Sequence, residues 1–171
     1  MFRAVRAALA VGWVVVVGAL YPASAGADPP VPVPAFEGTL EGICSFDVEL
    51  TVVRQNEFII HETLAPDGTI YLQYAGNLVV QVTNVETGKS LTYNISGPGT
   101  FWQNEAAGTF GGQLYGPNLL WTAPENLPDA PAGVPALSYT TGPVSFAVDA
   151  SGKTTSYSHR GRTTDVCAAL A

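Results

Sequence analysis

The sequence predicts an all-β protein, and three observations carry that prediction. Apolar and polar residues alternate at period two along segment after segment, the segments are divided by short turns rich in Gly, Pro and Asn, and none of them holds a sustained helical period. Counting the alternating segments gives eight or nine strands joined by hairpin-length connections, the pattern of a single antiparallel meander. A meander of this length removes its open edges by closing on itself, so a closed β-barrel is the first expectation and a β-sandwich the alternative.

The elements follow in chain order. Arg3 and Arg6 precede an apolar run from Ala7 to Leu20, and then come Pro22 and the small residues Ala23, Ser24, Ala25, Gly26 and Ala27. That order is a secretory signal peptide over residues 1–27, cleaved after Ala25 or Ala27, and it predicts a secreted, extracellular protein. The apolar run is shorter than the ~20 residues that a membrane-spanning helix needs, so no stable membrane insertion is expected after cleavage. Residues 28–37 carry Pro29, Pro30, Pro32 and Pro34 and read as a Pro-rich extended arm, dispensable for folding. A single all-β domain is expected over residues 38–171.

Within that domain, Cys44, Phe46, Val48, Leu50 and Val52 alternate with Ser45, Asp47, Glu49 and Thr51. Phe58 to Thr63 gives a second strand, and Pro66-Asp67-Gly68 a turn. Ile70, Leu72 and Tyr74 form a third set and Leu78, Val80 and Val82 a fourth, which leads through the connection Asn84 to Lys89 into Leu91, Tyr93 and Ile95. Phe101–Gln103, Phe110–Tyr115, Leu119–Thr122, Val144–Val148 and Thr154–Arg160 complete the strands, and Val166–Leu170, capped by Thr164 or Asp165, is a short C-terminal helical turn. Phe46, Val48, Leu50, Val80, Val82, Tyr93, Ile95, Phe146 and Val148 are expected to share one core. Residues 123–136, with four prolines, form a long connection that reads either as a functional loop or as a rigid connector.

Charge and cysteines narrow the function. Without Arg3 and Arg6, five basic residues face fourteen acidic ones, a net charge of −9. That balance argues against nucleic acid as a partner, since phosphates need a basic face. Two cysteines in an exported chain predict one disulfide, Cys44–Cys167, closing nearly the whole domain.

Cys44-Ser45-Phe46-Asp47-Val48, Thr83-Asn84 with Thr87-Gly88-Lys89, Asn94-Ile95-Ser96-Gly97-Pro98, Thr141-Gly142-Pro143 and Thr164-Asp165-Val166-Cys167 resemble the landmarks of small secreted actinobacterial proteins of unknown function. The resemblance spans most of the chain after the signal peptide. It implies export and paired cysteines and implies no activity.

Catalytic motifs are absent from the sequence: no phosphate-binding loop, dinucleotide fingerprint or nucleophile elbow occurs. His61-Glu62 lacks a second histidine four residues after the first, so no metal and no cofactor is expected, and no catalytic residue is assigned. His61, His159, Tyr157, Trp102 and Trp121 are the candidates for contacting a ligand, since aromatic side chains wall cavities and imidazoles supply the polar contact. Thr155, Tyr157 and His159 share one strand face, which is either a polar lining or a solvent surface. The sequence therefore favours a non-enzymatic exported binding protein for a small apolar ligand or a protein partner. The alternatives are a small barrel enzyme, isomerase- or cyclase-like, using a His/carboxylate pair that Glu62 or Asp165 would complete, and a structural component of the cell envelope.

Overall fold

A computed structural model of the protein describes residues 30–171; the expected signal peptide lies outside the described residues, as do the first two positions of the Pro-rich arm. The described chain is mostly β, with antiparallel pairing and a short C-terminal helix. Its strands are β1 (Val31–Pro32), β2 (Gly38–Leu40), β3 (Val48–Leu64), β4 (Ile70–Asn84), β5 (Ser90–Asn94), β6 (Gly99–Asn104), β7 (Thr109–Leu114), β8 (Asn118–Trp121), β9 (Leu137–Thr140), β10 (Val144–Val148), β11 (Thr154–His159) and β12 (Thr163–Asp165); helix α1 is Val166–Leu170.

The hairpin β3–β4 is the longest feature. Each of its strands joins two segments that the sequence presents as separate, because no turn residue interrupts Val53–Glu57 or Ala75–Asn77 strongly enough to stop the ladder. β4 keeps one phase throughout, so Tyr74, Gly76, Leu78, Val80, Val82 and Asn84 share a face. β3 does not. Register shifts fall between Val52 and Arg54 and between Ile59 and His61, leaving Val53 and Ile60 as extra residues, 59% and 61% exposed. Before the first bulge the even-numbered Val48, Leu50 and Val52 oppose the buried face of β4; after it the odd-numbered Glu57 and Ile59 do.

The two halves of the hairpin have different neighbours. The half with Val48–Val52 pairs with β2 on one side, and the matching half of β4 pairs with β5. A second, three-stranded sheet in the order β12-β9-β8 contributes to the core on this half. Leu119 and Leu137 from that sheet and Val166 and Leu170 from α1 join Phe46, Val48, Leu50, Leu78, Val80 and Val82 in one buried cluster, with Tyr93 and Ile95 packed against it. The disulfide Cys44–Cys167, with Cα atoms 5.5 Å apart, fastens α1 to the segment before β3. Asp165 caps α1, its carboxylate accepting from the Ala168 N–H at 3.0 Å.

The other half of β4 pairs with β6, and the ladder continues through β7 and β10 to β11. This path begins at β1 and ends at β11, and no sheet of the described residues closes into the expected barrel. Nor is the order a simple meander, since β7 pairs with β10 across an excursion that builds the second sheet. Phe146 and Val148 lie on this half, outside the core cluster, so the single shared core expected from their alternation is in fact two regions, one filled and one hollow. The Pro-rich arm joins the sheet: Val31 and Pro32 pair with Ile59 and Phe58, the Val33 N–H donates to the Glu57 carbonyl at 2.9 Å, and the Phe36 ring meets Trp121 at 5.6 Å.

Asn84 joins three pieces of the filled half. It is 1% exposed, accepts at Oδ1 from the Glu86 and Thr87 N–H groups at 2.9 and 3.1 Å, and donates from Nδ2 to the Leu170 carbonyl at 3.2 Å. The side chain thus shapes the β4–β5 turn and holds the end of α1. Asn84→Ala strips the buried Leu170 carbonyl of its partner and removes two bonds from the turn, and should destabilise the protein by about 1–3 kcal/mol, whereas the exposed Thr92→Ala on β5 should stay within about 0.5 kcal/mol of wild type, both read by chemical denaturation.

Candidate functional site

The hollow half holds a cavity of about 210 Å³ that is partly open to solvent. One wall is the inner face of the large sheet. Cross-strand pairing sets Tyr74 beside Gly99 and Phe101 beside Gly112, which in turn pairs with Phe146 and, through it, Tyr157. The rings interlock: Tyr74 and Phe101 stack at 5.7 Å, and Phe146 meets the rings of Phe101 and Phe110 edge-on at 6.0 and 6.4 Å. Gly99 is required here by close approach, because a Cβ on it would lie 2.3 Å from the Tyr74 hydroxyl oxygen. Residues from β4, β6, β7, β10 and β11 all reach this one space, so the sheet curves around it.

The opposite wall comes from β8, β9 and the connection between them. That connection begins with a 3-10 helix, Pro124–Asp129, and sets Asn126, Pro131, Val134 and Pro135 against the cavity beside Leu119, Trp121 and Ser138. Asn126 also rests on the β10–β11 turn, where a Cβ on Gly152 would come within 2.7 Å of its side-chain nitrogen. The proline-rich connection is therefore a strap across the open side of the curved sheet.

Among the described residues, Glu57 is the one carboxyl in the lining. It is 4% exposed, and neither a hydrogen-bond donor nor a cation reaches its carboxyl group among the described residues. Burial alone raises its pKa to about 7. Its cross-strand partner is Gly76, whose φ of +150° and close approach to the Asn56–Glu57 backbone exclude a side chain at that position. Two further polar groups of the lining, Ser138 Oγ and the Tyr157 hydroxyl, are buried without a hydrogen-bond partner. Desolvation raises the Tyr157 pKa; at Tyr74 desolvation and then the nearby Glu57 charge do the same, so both phenols stay protonated at neutral pH. Lys, Arg and His are absent from the lining among the described residues.

Of the residues singled out from the sequence, Tyr157 and Trp121 line this cavity and the other three lie elsewhere. Trp102 points to the outer face, its ring over Gly111 and its strand position opposite Tyr71. His61 is exposed near the end of β3, with Nε2 at 3.0 Å from Thr63 Oγ1. His159 is half-buried at the edge strand β11, between the Thr141 carbonyl at 3.2 Å and Thr163 Oγ1 at 3.3 Å. Neither imidazole meets Glu62 or Asp165 in a hydrogen bond or ion pair among the described residues. A bulge between Ala147 and Val148 pairs Val148 with Thr154, so Thr154 lines the cavity and Thr155 is exposed. Glu57 escaped sequence reasoning because uninterrupted alternation from Val48 puts residue 57 on the outer face. The one available signal was the run Val52-Val53, where two apolar residues in succession break the period.

Glu57 links stability to pH with a definite sign. Its folded pKa lies above its unfolded value, so between about pH 4.5 and 7 the folded state binds the extra proton. Stability from this group is present below pH 4.5 and falls as pH rises towards 7. Glu57→Gln should flatten that fall and be the more stable form at pH 8, measured by denaturation of both proteins across the range. Parallel curves would show that Glu57 titrates as an ordinary surface acid. In comparisons with protein-family models, curated proteins and solved structures, nothing matches this chain.

Proposed function

We propose that this chain is an exported, non-enzymatic binding protein that holds one small, largely apolar molecule in the cavity beneath the 122–136 strap. The observation that carries this reading is a space walled by aromatic and aliphatic side chains in which Ser138 Oγ and the Tyr157 hydroxyl are buried without a partner and the Glu57 carboxyl meets neither a donor nor a cation among the described residues. Small-molecule sites have this composition: apolar walls for affinity and a few placed polar groups for orientation. Unpaired buried polar groups cost about 1–3 kcal/mol each, a cost that a ligand's own donors and acceptors offset.

In this reading the large sheet is a barrel left open, and the strap supplies by side-chain contact the closure that a ladder would supply. The molecule works outside the cell, where the Cys44–Cys167 bridge persists and the basic, apolar N-terminal segment has been removed. A protein partner on the surface is the less favoured role, because two of the buried polar groups without partners, Ser138 Oγ and the Tyr157 hydroxyl, line the cavity.

Native mass spectrometry of protein purified from its own host should show a species heavier than the polypeptide by one small molecule, lost on denaturation. Val148→Trp fills the cavity from β10 and should abolish that species while circular dichroism stays unchanged. A bare polypeptide mass in the wild type, or a ligand that survives Val148→Trp at full occupancy, contradicts the proposal.

A further inference from the structure

We infer that the ligand is a cation, a small organic ammonium compound on an aromatic or branched apolar body. The inference rests on the binding role just proposed and adds the ligand's charge. Among the described residues the lining offers one group able to carry charge at neutral pH, the Glu57 carboxyl, and no basic side chain to answer it. A carboxylate is rarely left in an apolar site without a counter-charge, because taking it out of water is costly unless it is paired. Proteins that bury an acid for structural reasons supply an Arg, a Lys or several N–H donors; here none reaches it, and Gly76, the residue directly opposite on β4, has no side chain.

The rest of the cavity fits the same ligand. Tyr74, Phe101, Phe146 and Trp121 present aromatic rings, whose negative faces attract a cation. Ser138 Oγ and the Tyr157 hydroxyl, unpartnered and buried, accept hydrogen bonds from an N–H⁺ group. An anionic ligand would meet Glu57 and no positive group. A neutral ligand is accommodated only while Glu57 is protonated, and then the carboxyl serves as a donor.

The other titratable side chains of the lining among the described residues are Tyr74, diagonal to Glu57 on the β3–β4 hairpin, and Tyr157 from β11, both held neutral, so Glu57 alone sets the pH dependence. Three probes that share one body separate the possibilities: 2-phenylethylamine, 2-phenylethanol and phenylacetate, titrated into the disulfide-bonded protein by calorimetry at pH 5 and pH 8. The amine should bind about tenfold tighter than the alcohol at pH 8, the scale of one hydrogen bond to a charged group. That preference should shrink at pH 5, and phenylacetate should be the weakest of the three at pH 8. Glu57→Gln should retain alcohol binding and lose the preference for the amine. Equal binding of amine and alcohol at pH 8, or a preference that survives Glu57→Gln, overturns the cationic ligand and leaves the cavity reading standing. Failure of all three probes to bind overturns both.

Discussion

A strand that keeps one phase over seventeen residues must present the same parity of side chains from end to end, and β3 does not. The extra residue at Val53 shifts the phase of the strand just where the hairpin passes from the filled half of the molecule to the hollow half. Much else depends on that bulge. It lets one continuous hairpin serve two interiors, the first built on Val48, Leu50, Val80 and Val82, the second walled by Tyr74, Phe101 and Phe146. It sends an apolar Val to solvent and an acidic Glu inward, the reverse of what hydrophobicity alone would choose. A bulge beside a functional cavity is a common device, because it re-aims a side chain without breaking the ladder.

The filled half holds this arrangement in place. The disulfide and Asn84 both anchor α1, one from the segment before β3 and one from the end of β4, so the second sheet is fixed over the hairpin core. With β8 and β9 fixed, the connection between them is held at both ends and has to cross the open side of the curved sheet. Its prolines limit the conformations available to it. The hollow half then needs no ladder on that side. Its rings pack at 5.7–6.4 Å with their edges and faces matched, which gives a rigid wall and leaves space in front of it.

Most of the β structure could be read from alternation, because each half of the hairpin and each later strand buries one face and exposes the other. The C-terminal helical turn followed from local chemistry, which offered both Thr164 and Asp165 as its cap, and the Cys44–Cys167 pairing followed from number. What escaped was non-local. Nothing in Val80 or Phe146 says which of two interiors it belongs to, since both alternate equally well. The arm read as extended and dispensable for folding because prolines weaken a ladder, yet an edge strand tolerates Pro32 opposite Phe58. Trp102 and Trp121 are equivalent as residue types, and only register places one on the outer face and the other at the cavity. Glu57 was hidden for the most specific reason, a single residue of phase.

Fold, cavity and proposed ligand therefore meet at one carboxyl group, which the bulge turns inward and which the protein leaves without a counter-charge. Site-resolved ¹³C NMR titration of the Glu57 side-chain carboxyl in the ligand-free protein tests this most directly. The expected midpoint is about 7, well above the exposed glutamates of the same spectrum. A midpoint near 4.5, the ordinary glutamate value, would mean that Glu57 faces water, and it would remove the basis for both the inward turn and the charged site.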